Sequence, residues 1–334
     1  MSLSDPELGI VGSGAWGTAL AILANRAGAR VTLYVRNSQV YQTIADERIN
    51  AAYLPDHFID PSIRITQSMD DLQHSEMILL AVPSQSLRAA SIALSDLVSA
   101  STPLILASKG IERGSLMLMS EVVQSIMPHN PIAILTGPNF AGEAASGLPT
   151  ASLLATYHAQ AAERIVFALA GTYYRLYLSD DPIGAQIGGA AKNIIAIASG
   201  IAHGRRLGEN ARAALLTRGV AEIARLAKAK GGKPETASGL SGMGDLLLTA
   251  SSPTSRNFAY GMRLAQGQTD GTAADRGGLV EGVQSTESLT QLARKLGVRM
   301  PICEAVRDVL SGQHSVDDVL QGLLSRPATE ELSS

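Results

Sequence analysis

The chain has 334 residues, of which 46% are hydrophobic and 17% charged, and its 27 basic and 30 acidic side chains give a net charge of −3. That composition forms packed cores, is long enough for one large domain or two ordinary ones, and excludes both a disordered chain and the basic field of a nucleic-acid binder. The single cysteine, Cys303, excludes an intrachain disulfide and reads as a small buried residue in a reducing compartment, while the six scattered histidines offer no metal-ligand spacing.

The opening MSLSDPE has no basic start and no apolar signal core, so nothing in it argues for export. An apolar run, Leu8–Val11, then leads into glycines 12, 14 and 17 and a helix-like stretch, Thr18–Ala27, before a second strand-like run at Val31–Val35. In that strand–loop–helix context Gly12 permits a tight turn, Gly14 the approach of a pyrophosphate, and Gly17 a close helix-to-strand contact. Backbone N–H groups at the helix start would hold the phosphates. A glycine-rich turn without a ligand is the weaker reading. NAD sites of this type place an acid at the end of the second strand to hold the ribose 2′-hydroxyl, but here Arg36 stands there, followed by Asn37 and Ser38. A guanidinium pairs with the 2′-phosphate that a carboxylate would repel, so NADPH is favoured and NAD remains allowed. The competing reading is an ordinary solvated arginine.

Further strand-like runs follow at Ile63–Thr66, Met77–Val82, Leu104–Ala107 and Ile132–Leu135, alternating with helix-like stretches at Gln85–Leu97 and Leu116–Met127. The runs are almost continuously apolar, as expected of parallel strands buried on both faces. Ala151–Ala155 and Tyr174–Leu178 flank another helix-like stretch and would extend the sheet. The fold class expected is α/β. Residues 1–181 form a Rossmann-like, mostly parallel dinucleotide-binding domain, and an all-helical C-terminal domain follows it. Ligands of open parallel sheets lie beyond the carboxyl ends of the strands, which is where Pro83–Ser84, Lys109–Gly110 and Gly137–Asn139 fall. A merely solvated lysine is the alternative for Lys109.

From Pro182 the pattern becomes helical: Gly184–Ala202, Asn210–Lys230, Ser255–Gln266, Ser285–Leu296, Cys303–Leu310 and Val316–Leu324. Residues 182–326 read as a helical substrate domain and 327–334 as a frayed tail. Ile183–Ala202 has the length of a membrane span, yet Lys192 near its centre would cost roughly 2.5–3.5 kcal/mol on insertion scales. A buried helix carrying a functional lysine fits better, with no integral membrane association. Gly188, Ala196, Ser199 and His203 share the face of Lys192, a narrow surface that a partner or substrate can approach closely. A lysine snorkelling to water competes with this on periodicity alone. Asp245 in GLSGMGDLLLT is an isolated acid or a helix cap. Ser255, Arg256 and Asn257 supply a cation and donors for an anion, or a helix start.

Taken together, GSGAWGTALA, LPD (54–56), VPS (82–84), SKGIE (108–112), GPNFAGE, GLPTA, GGAAKNIIAIASGI, NARAALLTRG, GLSGMGDLLLT, SRN and VEG (280–282) resemble, in order, NAD(P)-dependent glycerol-3-phosphate dehydrogenase of the bacterial type. The resemblance implies that Lys192 exchanges the proton of the substrate hydroxyl. It further implies that Lys109, Gly137, Asn139, Lys192, Asp245, Ser255, Arg256 and Asn257 line the substrate site, with Asp245 helping to hold the lysine. Gly12, Gly14, Ala15, Trp16, Gly17, Arg36, Lys109, Ala141, Arg256, Leu279 and Glu281 would meet NADP or NAD. Family members commonly carry Ser or Thr where this chain has Asn139. The resemblance also implies a cytoplasmic homodimer that supplies sn-glycerol 3-phosphate for phospholipids. Two other readings stay open: another two-domain NADP-dependent ketoacid or hydroxyacid reductase, and a non-catalytic dinucleotide sensor in which Lys192 would be idle.

Overall fold

The apolar run before the glycines forms β1 (Glu7–Val11), and the Ala/Leu-rich stretch after them forms α1 (Ala15–Arg26), which buries Thr18 through Ala24 against the sheet. The computed structural model describes residues 5–268 and 280–324; Leu279 and the 327–334 tail lie outside the described residues. The chain groups into two units, Met1–Ser108 with Met119–Pro182, and Lys109–Leu118 with Ile183–Ser334. Ten residues that follow a strand of the first unit therefore cluster with the helices of the second.

In the first unit the remaining strands are β2 (Arg30–Tyr34), β3 (Ile49–Asn50), β4 (Leu54–Phe58), β5 (Arg64–Thr66), β6 (Met77–Leu80), β7 (Leu104–Leu106), β8 (Ile132–Thr136), β9 (Thr150–Ala155) and β10 (Tyr174–Ser179). Between them lie α2 (Ser38–Glu47), α3 (Leu87–Ser95), α4 (Met119–Gln124), α5 (Ala141–Ala145) and α6 (Ala159–Leu169). The main sheet runs β10-β9-β8-β7-β6-β1-β2-β5, and β3 pairs with β4 in a separate two-stranded ribbon. Starting at β1, strand order proceeds to β2 and β5 on one side and to β6, β7 and β8 on the other. The topological switch point thus lies between β1 and β6, where the carboxyl ends of an open sheet make their crevice. Within the main sheet all pairings are parallel except β8 with β9, whose register joins Leu135 to Leu154 antiparallel. Central strands are buried along their whole length, as MILL of β6 and IAILT of β8 show.

Three departures from the sequence reading have local causes. The expected helix Leu116–Met127 shortens to α4, because Leu116 takes a positive φ of 59° and Ile111 bridges antiparallel to Leu118. Ile111 and Leu118 both belong to the core of the helical unit. The helix α2 was not anticipated, since only Val40 and Ile44 are buried on it and Asn37 starts it by accepting from Val40 N at 3.0 Å. The β3–β4 ribbon was likewise missed.

The helical unit comprises α7 (Pro182–Gly204), α8 (Glu209–Ala229), α9 (Asp245–Ser251), α10 (Arg256–Ala265), α11 (Glu281–Lys295), α12 (Pro301–Leu310) and α13 (Val316–Leu324), with short turns over 234–238 and 240–244. Ile187, Ile194, Ile195 and Ile197 of α7 are fully buried among residues of α8, α9, α11 and α12. The α12 N-terminus has no side-chain cap of its own; buried Glu222 of α8 accepts from Ile302 N at 2.7 Å and Cys303 N at 3.3 Å instead. Burial holds the Glu222 carboxyl at about 7, and Cys303 is buried with its thiol pushed well up. Part of the small-residue surface of α7 is covered by the chain itself: a Cβ on Gly188 would lie 2.7 Å from Ser241 O, and one on Gly200 only 2.1 Å from Phe258 O. Among the described residues, no helix is long and apolar enough to cross a membrane.

Candidate active site

The glycine loop leaves β1 at the switch point. Gly12 adopts a φ of +117°, and a Cβ there would stand 2.5 Å from Ala81 O, just beyond β6. Gly17 has no room at all, since its Cβ would fall 1.8 Å from Gly12 O. Gly14 is the opposite case: among the described residues nothing beyond its chain neighbours stands within 4 Å of its virtual Cβ, and as the N-cap of α1 it carries no side-chain cap. The first N–H groups of a helix have no partners within it. Open space at Gly14 and an uncapped helix start leave backbone donors, next to Ala15 and Trp16, in an arrangement that can take an anion. A residue that the sequence reading missed pins the loop. Buried Asn50 of β3 donates to Ser13 O and to Thr18 Oγ1, both at 2.8 Å. A lone asparagine in RINAAYLPD gives no signal for that role.

Arg36 lies two residues past β2, exposed, with no hydrogen bond or ion pair among the described residues. At the end of β8, Gly137 takes a φ of +144°, and its Cβ would press on Ala151 O at 3.2 Å. Asn139 follows, donating from Nδ2 to Ser152 Oγ at 2.9 Å, and Ala141 opens α5.

In the helical unit, Lys192 of α7 is 7% exposed and does not snorkel. Its Nζ lies 2.9 Å from Asp245 Oδ1 and donates to Thr249 Oγ1 at 2.7 Å. Lys109 Nζ reaches the other carboxylate oxygen, Asp245 Oδ2, at 2.5 Å. Thr249, one helical turn after Asp245, donates its hydroxyl to Oδ1 at 3.3 Å. Asp245 is therefore the first residue of α9 and the hub of a buried cluster, and a capping role does not describe it. With both lysines charged the cluster carries one net positive charge. Burial pushes the Lys192 ammonium below the ordinary lysine value; Asp245 opposes this, Lys109 reinforces it and Glu281 opposes it. Burial alone would raise Asp245, but Lys109 and then Lys192 hold its carboxyl below the usual range. Two of the three ammonium N–H directions of Lys192 have acceptors among the described residues, and the third has none.

Next along α7, Asn193 donates to Glu281 Oε2 at 3.1 Å and accepts from Asn257 Nδ2 at 2.9 Å, while Asn257 Oδ1 accepts from Gly282 N at 3.0 Å. Asn257 and Glu281 thus serve a chain of bonds joining α7, α10 and α11. Ser255 is the N-cap of α10, accepting from Phe258 N at 3.4 Å, and Arg256 beside it is exposed with no partner among the described residues. The structure brings Lys109, Lys192 and Asp245 together and adds Thr249 and Asn193. Thr249 sits four residues after Asp245 in GLSGMGDLLLT, and that helical spacing is the signal that would have found it. Among the described residues, no group of three His, Cys, Asp or Glu side chains is placed to hold a metal ion.

Comparison with known proteins matches both units. Residues 7–162 match the family described as the N-terminus of NAD-dependent glycerol-3-phosphate dehydrogenase, and residues 181–321 match its C-terminus. The chain is 47% identical over 326 residues to a glycerol-3-phosphate dehydrogenase [NAD(P)+] of Caulobacter vibrioides, covering 97% of this chain and 98% of that one. It is also 47% identical over 332 residues to the protein of that name from Methylobacterium radiotolerans, covering 99% of each. A crystal structure of glycerol-3-phosphate dehydrogenase from Coxiella burnetii superposes with a TM-score of 0.93 at 36% identity, covering 97% of this chain and all of that one.

Proposed function

The chain belongs to the NAD-dependent glycerol-3-phosphate dehydrogenase family, and from that premise we propose how its own residues carry the reaction. It is an oxidoreductase that interconverts sn-glycerol 3-phosphate and dihydroxyacetone phosphate with NAD(P)(H). The open space at Gly14 and the uncapped start of α1 fit a dinucleotide pyrophosphate. We assign that role to Gly12, Gly14, Ala15, Trp16 and Gly17, and the 2′-phosphate of a preferred NADPH to Arg36. Lys109, Ala141, Arg256, Leu279 and Glu281 complete the nucleotide contacts. When bound, the reduced nicotinamide supplies a hydride to the carbonyl carbon of dihydroxyacetone phosphate.

Lys192 handles the proton. In reduction its ammonium donates to the developing alkoxide through the one N–H direction left without an acceptor. In oxidation the neutral amine takes the hydroxyl proton. An ordinary lysine, at ~10.4, holds its proton too firmly for a base working near neutrality. Burial and Lys109 weaken that hold, while Asp245 keeps the side chain aimed and prevents the shift from running too far. Thr249 fixes the second N–H direction. Arg256, with Ser255 and Asn257 at the α10 N-terminus, takes the substrate phosphate, and Gly137 and Asn139 meet the rest of the substrate. The observation that carries this reading is the buried Lys109–Asp245–Lys192 cluster with one lysine direction open.

We assign the enzyme to the cytoplasm as a homodimer supplying glycerol 3-phosphate for phospholipid synthesis. The test is direct: mix the protein with NADPH and dihydroxyacetone phosphate and follow reduced-cofactor absorbance. Turnover that requires the phosphorylated ketone is expected. Turnover with unphosphorylated 2-ketoacids in its place would favour the other reductases, and none with either would favour a sensor.

A further inference from the structure

Three polar side chains meet inside the first unit in a way that nucleotide binding does not need. Asn139, in the loop after β8, donates from Nδ2 to the hydroxyl of Ser152 on β9 at 2.9 Å. Ser152 is fully buried, and its Oγ also accepts from the hydroxyl of Tyr174, at the start of β10, at 2.8 Å. Tyr174 is itself buried, and burial keeps its phenol protonated far above neutrality, so it remains a donor. A polar line therefore crosses two strands to end on one amide. The other end of that amide, Asn139 Oδ1, is buried and has no hydrogen-bond partner among the described residues. Leaving a buried acceptor unpaired is costly, and native structures rarely tolerate it without a use.

We propose that Ser152 and Tyr174 are positioning residues: they hold one end of the Asn139 amide so that the other end accepts the primary hydroxyl of the substrate. The inference rests on the glycerol-3-phosphate dehydrogenase reading. Its chemistry follows from which groups can donate. With Nδ2 engaged by Ser152, the unpartnered atom is an acceptor. On dihydroxyacetone phosphate the phosphate dianion and the ketone oxygen only accept, and the primary hydroxyl alone donates. A serine or threonine at position 139 either donates or accepts, so it would not demand a donor from its ligand. An asparagine held by Ser152 does. The line thus makes this chain selective for a three-carbon phosphate that carries the hydroxyl, because an analogue without it leaves Oδ1 buried and unpaired.

The experiment compares dihydroxyacetone phosphate with hydroxyacetone phosphate, which lacks only that hydroxyl, using NADPH and reading kcat/KM for each. In the native enzyme the ratio should favour the hydroxylated substrate by about 100-fold or more. Ser152→Ala and Tyr174→Phe should each lower the ratio about tenfold, mainly by raising KM for dihydroxyacetone phosphate, with KM for NADPH unchanged. A purely structural defect would depress both substrates alike and leave the ratio intact. In an Asn139→Ala background, adding Ser152→Ala should change the ratio no further, since Ser152 acts only through the amide. A ratio within about twofold of the native value in both single variants, with dihydroxyacetone phosphate still reduced, would overturn the inference. Failure of the native enzyme to reduce dihydroxyacetone phosphate would overturn the reading beneath it, and this inference with it.

Discussion

The glycine loop and the lysine cluster solve opposite problems. The loop is built from backbone. Gly12 and Gly17 are glycines because a Cβ would strike Ala81 O or Gly12 O, and Gly14 is a glycine although nothing among the described residues crowds it. The cluster is built from buried side-chain charge, with Lys109, Lys192 and Asp245 drawn from three distant parts of the chain. Backbone geometry is encoded in consecutive residues, so the loop announces itself as a motif. A charge cluster is encoded only by the fold, and each of its members is ambiguous alone. In the function proposed, the loop binds without discriminating among reactions and the cluster supplies the chemistry.

If that division is right, damage to each part should have its own signature. The largest effect belongs to the cluster. Lys192→Ala should fold and bind NADPH but lose turnover by at least ~10²-fold, the lower range for a positioned acid or base. Near-normal turnover would make the lysine structural. Arg256→Ala should come next. Losing a charge-assisted contact of about 1.5–3 kcal/mol lowers kcat/KM for dihydroxyacetone phosphate roughly 10- to 150-fold. The neutral analogue dihydroxyacetone, poor to begin with, should lose little more; parallel losses would put the phosphate elsewhere. Arg36→Asp moves the comparison to the nucleotide. It should lower kcat/KM for NADPH by about tenfold more than for NADH, and equal losses would mean that Arg36 does not read the 2′-phosphate. Gly14→Ala should have the smallest effect and the cleanest. Its Tm should stay unchanged, because the new methyl meets no protein atom, while nucleotide affinity falls about tenfold or less. Gly17→Ala is its control and should lose stability outright.

Most of the sheet was legible because strands buried on both faces must be continuously apolar, and β1, β6, β7 and β8 fall on such runs. The antiparallel turn at β9 was not, since pairing direction leaves no trace in the composition of one strand. Residues 109–118 misled for a related reason. Their apolar residues Ile111 and Leu118 are buried in the helical core, which a local pattern cannot specify. At the candidate site, the lysines and the acid stood out as isolated charges in apolar or glycine-rich surroundings. Thr249, Asn193 and Asn50 did not, because a polar residue that bonds to another across the fold looks like any other loop or helix residue. Ser152 and Tyr174 sat inside two runs read only as strands, where hydroxyls are easily taken for tolerated exceptions.

The central claim is that Lys192 exchanges the substrate proton under the opposed influence of burial and Asp245, and pH–rate profiles in both directions test it most directly. Oxidation of glycerol 3-phosphate needs the neutral amine, so its kcat should rise with pH through a midpoint below the ordinary lysine value of 10.5. Reduction of dihydroxyacetone phosphate needs the ammonium, so its kcat should fall across the same range. Because the Asp245 carboxylate raises the lysine's hold on its proton, Asp245→Asn should move both limbs to lower pH. Limbs of the same sign in the two directions, or limbs that Asp245→Asn leaves in place, would contradict the account.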